Sequence, residues 1–312
     1  MSGDAVSRTR VGGRGVADAV SAARHRVACV TTTEQTQPVR GPLPGRSAAL
    51  SPSRASDFMQ CPLLYRFRVV DRLPAQPSPA AARGTLVHAV LERLFDLPAD
   101  ERTPEAAATL VEPQWRRLVE GEPALAQMIE DDEQRTQASW FAEAAALVET
   151  WFTLEDPRSL EPRERELYVE VPVEGLTLRG IIDRVDVAAD GAVRVVDYKT
   201  GRSPGERYER RALFQMRFYA LVIWRLHGVV PQVLQLVYLG DRQVLRYFPD
   251  EDDLRATERT IHALWDAIRL ADETGDWRPS PSRACDWCDF KAICPQWGGT
   301  PPPLPVVEPD AG

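Results

Sequence analysis

The chain has 312 residues, enough for one large domain or one domain with an appendage. Its formal charge of −8, with 44% hydrophobic and 27% charged residues, excludes a protein coated in positive field; any contact with nucleic acid must come from a local groove. No run approaches eighteen apolar residues, which excludes a membrane-spanning helix. Among its 38 Lys and Arg, only Lys199 and Lys291 are lysines. Genomic composition explains that bias, but it makes each retained lysine worth a question.

Residues 1–48 carry Ser, Thr, Gly, Pro and Arg without an apolar period and read as a disordered extension. The segment is Arg-rich and poor in acids, compatible with a transit peptide or an over-long gene start, and its Cys29 receives no role. From Ser51 the texture changes. Ser51-Pro52-Ser53 offers an N-cap and a first-turn proline, and SRASDFMQCPLLYRF continues at helical spacing. After a proline-rich break at 74–79, GTLVHAVLERLFDL forms an amphipathic helix opened by Gly84, with Val87, Val90, Leu91, Leu94 and Phe95 as its buried stripe. Two more helices fall within 104–120 and 136–155. The period then switches to two, and LYVEVPVEGLTLRGIIDRVDVAADGAVRVVDYKT reads as three strands with turns at Glu174-Gly175 and Asp190-Gly191. A helix at about 208–227, strands at 232–239 and 243–248, and a helix at 251–272 follow. The tail from 299 is proline-rich. This order predicts an α/β fold with a mixed central sheet flanked by helices.

The chemistry concentrates in GIIDRVDVAADGAVRVVDYKT. Asp197 and Lys199 stand two apart on a strand and leave the same face. Whether Asp183 joins them depends on hairpin register. A two-residue Asp190-Gly191 turn pairs Asp183 with Tyr198 and separates the acids. A three-residue loop, Ala189-Asp190-Gly191, pairs Asp183 with Asp197, and it wants a left-handed glycine at its last position. Gly191 favours that register. Two carboxylates held together call for a cation, and oxygen ligands suit Mg²⁺ or Mn²⁺. Such an ion activates water and clamps a phosphate oxygen, the requirement for phosphodiester hydrolysis, while Lys199 offers positive charge to the developing phosphorane. The bland alternative is a cross-strand ion pair on a solvated face. The apolar residues flanking both acids count against it, and Asp186 opposite Arg194 already fills that ordinary role. His88, four residues before Glu92, and Gln215 with Tyr219 on one helix face are weak signals singly. The same holds for Arg207, Arg210, Arg211 and Arg217, which fit a solvated face as well as a phosphate-binding edge.

Taken together, GTLVH, GIIDRVD, VVDYKTG and QMRFY, in this order, resemble the RecB-like nucleases of the PD-(D/E)XK superfamily, over about residues 51 to 297. The resemblance implies a restriction-endonuclease-like core. It gives His88, Asp183 and Asp197 as metal ligands with the Tyr198 carbonyl, Lys199 as the catalytic lysine, and Gln215 and Tyr219 as supporting residues that contact DNA. It further implies a metal-dependent deoxyribonuclease, exonuclease favoured, acting on single-stranded or end-bearing DNA in repair or recombination. The alternatives are a CRISPR-adaptation nuclease with the same chemistry and a non-catalytic DNA-binding scaffold. No GxxxxGK[ST] motif is present, so an ATP-driven motor would be a separate helicase chain.

Cys285-x2-Cys288-x5-Cys294 places three thiols within ten residues, and Cys61 is the fourth candidate. No signal peptide precedes them, so the expected compartment is the cytoplasm and the pattern reads as metal ligation before disulfides. Spacing alone leaves Zn²⁺ and an iron–sulfur cluster even. A similar arrangement in AddB-type nucleases implies a [4Fe–4S] cluster, a C-terminal staple tying the first helix to the end of the chain. The expected organisation is an extension over 1–48, a nuclease domain over 49–298 and a flexible tail over 299–312.

Overall fold

The computed structural model describes residues 48–305, apart from 76–77, 131–135 and 204–205; the side chains of 206–211 lie outside the description. The expected N-terminal extension with Cys29 and the last residues of the tail are outside it too, and residues 299–305 form neither helix nor strand.

A short strand β1 (Ala49–Leu50) leads into α1 (Pro52–Gln60), whose first turn is capped by the Ser51 hydroxyl accepting from Arg54 N–H. Helical spacing predicts one continuous helix here, but the chain breaks at Cys61, which is extended at φ −163°. Pro62 disfavours the helical region for the residue before it. A second short helix, α2 (Pro62–Tyr65), and a wider π-type turn over Arg66–Val70 follow. The next helix, α3 (Pro79–Leu94), begins five residues earlier than expected, at a Ser78 cap with Pro79 in its first turn, so Gly84 lies inside it. Then come α4 (Pro104–Gly121), a short unforeseen α5 (Ala124–Glu130), and α6 (Gln137–Phe152). The strands β2 (Glu164–Val173), β3 (Leu176–Val187) and β4 (Val193–Lys199), helix α7 (Glu206–His227), strands β5 (Val233–Tyr238) and β6 (Gln243–Tyr247), and helix α8 (Glu251–Thr274) fall where the periodicity puts them.

The six strands make one mixed sheet in the order β1-β3-β4-β5-β6, with β2 on the other edge of β3. The β1–β3 and β4–β5 pairs are parallel and the others antiparallel. Two apolar layers cover it. On one face Phe58, Leu64, Phe218, Leu221, Leu254 and Ile261 pack against Leu178, Ile182, Val195 and Leu236. On the other Leu86, Val90, Leu94, Trp140 and Trp151 pack against Val196, Tyr198 and Val237. With both faces covered, β4 is buried at four successive positions, Val195, Val196, Asp197 and Tyr198, without clean alternation.

The β3–β4 hairpin has the register that gathers the acids. Asp186 faces Arg194 and Arg184 faces Val196, and the loop closes through Ala188 N–H to Ala192 O around a left-handed Gly191, φ 86°. The rung beside the acids is clamped by a buried ionic network. Arg184, 1% exposed, donates to both Glu155 oxygens at 2.8 and 2.9 Å, to Asp186 and to the Tyr198 hydroxyl. Gln235 and Trp151 also donate to Glu155. Burial opposes charge on Glu155, but the Arg184 guanidinium outweighs it and holds the carboxyl below the usual glutamate range. A group so depressed contributes stability above its unfolded pKa and loses it as pH falls through the folded value. Glu155→Gln leaves Arg184 buried with one partner fewer. It should destabilise the fold by about 3 kcal/mol at neutral pH in urea titrations. The gap to the natural chain should shrink as pH drops below about 4.

Candidate active site

The site lies where the sheet parts. On the edge of β3 away from β2, β1 covers residues 177–178 and β4 covers 184–187. Residues 179–183 therefore have no strand beside them on that edge. Asp183 would face Asp197 in the next rung of the β3–β4 ladder. Instead its Oδ2 accepts the Tyr198 N–H at 2.7 Å, a carboxylate standing where a strand carbonyl would be. The ladder ends there, and the two acids turn into the opening.

Each further residue arrives on an element that packing fixes. Burial of Leu86, Val87, Val90 and Leu91 orients α3, which leaves His88 facing the opening. One ring nitrogen, Nε2, lies 2.9 Å from the Tyr198 carbonyl oxygen. That nitrogen carries the proton and donates, which leaves Nδ1 as an acceptor 3.5 Å from Asp183 Oδ2 and 3.9 Å from Glu166 Oε1. Burial pushes the His88 pKa down, so the ring is neutral near pH 7, the form that binds metals. From β4, Lys199 Nζ makes an ion pair with Asp197 Oδ2 at 2.7 Å and donates to Gln215 Oε1 at 3.0 Å. Gln215 in turn donates through Nε2 to Asp197 Oδ1 at 2.8 Å and lies 3.5 Å from the Tyr219 hydroxyl. A single amide thus holds the lysine and the acid together. Tyr219 lies against Gly180, where a Cβ would meet its ring at 2.8 Å, so the glycine of GIID makes room for the tyrosine ring.

The six positions singled out in the sequence converge in this way, and the structure adds a seventh. Glu166 on β2 lies in register opposite Asp183, between the pairs Arg165–Arg184 and Leu167–Ile182, with an unusual φ of 43°. Its carboxylate, the Asp183 carboxylate and a His88 nitrogen lie within 4.8 Å of one another, close enough to share one ion. Burial, reinforced by Glu92 and Asp197, raises the Glu166 pKa to about 7. Burial and the neighbouring Asp197 raise Asp183 well above the usual carboxylate range. The sequence held a signal for Glu166. The two-residue Glu174-Gly175 turn closes Val173 on Leu176, and counting back along that hairpin sets Glu166 beside Asp183.

Of the arginines weighed as a phosphate edge, Arg217 is committed elsewhere, donating to the Tyr247 hydroxyl at 2.7 Å and stacking on its ring. The side chains of Arg207, Arg210 and Arg211 lie outside the described residues.

At the C-terminal end of α1, Cys61, Cys285, Cys288 and Cys294 line one cavity together with Leu64, Phe67, Phe290 and Trp297, and all four are free thiols. Burial pushes the Cys288 thiol up, and the other three thiols add to the shift, which places them around it. Ser280 N–H points at Cys61 Sγ and Ser282 N–H at Cys285 Sγ, each at 3.4 Å. Tyr65 stacks on Trp277, and Phe67 packs against Phe290, so the first helices and the C-terminal segment already adhere through aromatic contacts.

Known proteins resemble this chain over most of its length. The gene 69 protein of Mycobacterium phage D29 is 25% identical over 272 residues, spanning 78% of this chain and 96% of that protein. Its counterpart from Mycobacterium phage L5 is 24% identical over 283 residues, spanning 78% and 95%. The crystal structure of a candidate exonuclease from Eubacterium rectale shares the fold, with a TM-score of 0.51 at 12% identity over 85% of this chain and 94% of that one. The family model of the PD-(D/E)XK nuclease superfamily matches residues 49–295. Matched over that span, the chain belongs to the PD-(D/E)XK nuclease superfamily.

Proposed function

We propose that this nuclease is a metal-dependent deoxyribonuclease working from single-stranded or free DNA ends, as an exonuclease, in repair or recombination. The observation that carries the reading is the convergence of His88, Asp183, Asp197 and Glu166 with Lys199 at the parting of β3 and β4. Burial and the neighbouring charge of Asp197 raise the proton affinity of Asp183 and Glu166, and a divalent cation relieves that repulsion. His88 Nδ1, the ring nitrogen left as an acceptor, lies 3.5 Å from Asp183 Oδ2 and 3.9 Å from Glu166 Oε1, within the roughly 3 to 4.2 Å that separates ligands placed about 2.1 Å from one Mg²⁺. The residues present therefore fit Mg²⁺ or Mn²⁺, held by His88, Asp183, Asp197 and the Tyr198 carbonyl, with Glu166 facing them from β2.

Such an ion, when bound, supplies Lewis-acid charge that acidifies water and neutralises a phosphate oxygen. The chain's own residues do the rest. Lys199 presents a compact positive charge beside the acids, where negative charge develops on the phosphorus oxygens. Gln215 positions Lys199 and Asp197 against each other. The exonuclease mode rests on the family resemblance, and the Eubacterium rectale neighbour carries the same description. No helix among the described residues is long and apolar enough to cross a membrane, and a cytoplasmic setting is proposed with the DNA substrate. A separate helicase chain would supply any strand separation.

For the cysteines we propose a [4Fe–4S] cluster. Zinc at about 2.3 Å from each sulfur requires thiolates about 3.8 Å apart. Among the described residues no three of the four thiols come within 4.8 Å of one another. The wider spacing, around a cavity with apolar walls, suits a cluster that occupies volume. The cluster's role is a structural staple between Cys61 and the C-terminal trio. Anaerobic purification should give iron and sulfide in equal amounts with visible absorption. Cys61→Ser should lose both and lower the melting temperature, and zinc without sulfide would sink the proposal.

Incubation with end-labelled single-stranded DNA and Mn²⁺ should release nucleotides, and chelator should stop it. Lys199→Ala should reduce kcat by about 10²- to 10³-fold; cleavage surviving in that variant would mean the chemistry is misplaced. Gln215→Ala should reduce activity roughly 10- to 100-fold and raise the Mn²⁺ concentration needed for half-maximal rate. Its melting temperature should be unchanged, because only a positioning role moves the metal dependence without moving stability.

A further inference from the structure

An open groove of about 400 Å³ runs from the candidate active site toward the N-terminus of α1. Gln215, Tyr219 and Gly180 line its inner end, and Ser51, Ser53, Arg54, Tyr168, Arg179 and Ile181 its outer part. It occupies the space beside residues 179–183 of β3, where β1 has ended and β4 has not begun.

The walls of this groove break the ordinary surface pattern. Tyr168 and Ile181 are cross-strand partners on the β2–β3 hairpin, and they are 57% and 50% exposed. Single exposed apolar residues are normal, but two large ones paired across a ladder form a contiguous face. Two residues along the ladder on either side lie the rungs Glu166–Asp183 and Glu170–Arg179. Rungs two residues apart are about 7 Å apart along the strand. The paired face thus lies one such step from the acids, and Arg179 two.

Arg54 reaches into the same groove from α1. Burial lowers the Arg54 pKa, and Arg179 lies near enough for its charge to lower it further. Glu170 opposes Arg179 across the strands, and the Tyr168 hydroxyl donates to Glu170, which orients the ring and leaves its faces open. Among the described residues no acid pairs with Arg54, whose one side-chain hydrogen bond runs from Nη1 to the Ala49 carbonyl at 3.4 Å.

Building on the nuclease reading, we infer that this groove holds the single-stranded DNA next to the bond being cut, a base lying on Tyr168 and Ile181 and phosphates held by Arg54 and Arg179. Two observations choose this occupant. The groove is continuous with the site through Gln215 and Tyr219, so a strand whose phosphate reaches Lys199 must leave along it or away from it. It also pairs an aromatic face with cations at nucleotide spacing, the combination that binds single strands without reading sequence. A groove of this size accepts a splayed base. On a chain of net charge −8, it supplies the local positive site that the composition requires.

The test is fluorescence anisotropy with the full chain carrying Lys199→Ala, so that binding is read without cleavage. The probes are fluorescein-labelled oligothymidylate, a blunt duplex and oligouridylate. Adding Tyr168→Ala should weaken oligothymidylate binding roughly 5- to 150-fold, and Tyr168→Trp should restore it. Arg54→Ala and Arg179→Ala should each lower the salt-dependence slope by about one. Duplex affinity should change less in all three.

Unchanged oligothymidylate affinity and slopes, with cleavage intact in the unsubstituted protein, would remove the groove and leave the nuclease. Groove-dependent binding without any cleavage would sink the nuclease reading and leave the strand-binding surface. Equal losses on the duplex, or tighter binding of oligouridylate, would overturn the assignment to single-stranded DNA.

Discussion

Repulsion among Asp183, Asp197 and Glu166 at the parting of β3 and β4 is the constraint around which the rest is arranged. Each acid is at least half withdrawn from water; burial raises the proton affinity of Asp183 and Glu166, and the charge of Asp197 raises both further. Left alone, such a group would spread apart or take up protons. Here it does neither freely, because every acid is tethered. Asp183 accepts the Tyr198 N–H, Asp197 is gripped by Lys199 and Gln215, and Glu166 is fixed by the paired rungs on either side of it. The stored repulsion is what a divalent cation would release on binding.

That tethering depends on the next residue of the same strand. Immediately after Asp183, Arg184 turns into the interior and binds Glu155, Asp186 and the Tyr198 hydroxyl. Tyr198 takes part in both arrangements, its buried side chain in the Arg184 network and its backbone between Asp183 and His88. Charge paired in the interior thus fixes the backbone that aims charge into the opening. The network is weak evidence for net stability, since paired buried ions often do no better than apolar packing. Its evident effect is to specify one register, without which Asp183 and Asp197 would not meet.

Much of this was readable in advance where local geometry decides. Gly191 fixed the hairpin loop, and through it the Asp183–Asp197 register and the Asp186–Arg194 pair. The apolar stripe of α3 aimed His88. What escaped attention depended on two elements at once. Glu166 becomes significant only when the Glu174-Gly175 hairpin is counted together with the next one. Gly84 looked like a helix start because the apolar period becomes strong there, whereas the Ser78 cap and Pro79 lie upstream in a stretch poor in large apolar residues. Cys61 was read inside a helix although Pro62 forbids it. That break is also what turns its sulfur toward Ser280.

The position of the site follows from a general property of sheets. A strand edge without a neighbour exposes backbone groups that must find partners in side chains, water or a ligand. Most folds hide such edges, yet this one keeps five residues of β3 uncovered between β1 and β4, in the middle of the sheet. Asp183 gives up its strand pairing in exchange for a side-chain contact, and Gly180 gives up a side chain so that Tyr219 can approach. Neither sacrifice helps the fold. Both are tolerable because two apolar layers, one on each face, hold the strands on either side of the gap. A break of this kind gathers carboxylates, a lysine and an open groove at one place, which an unbroken ladder would have kept on separate rungs.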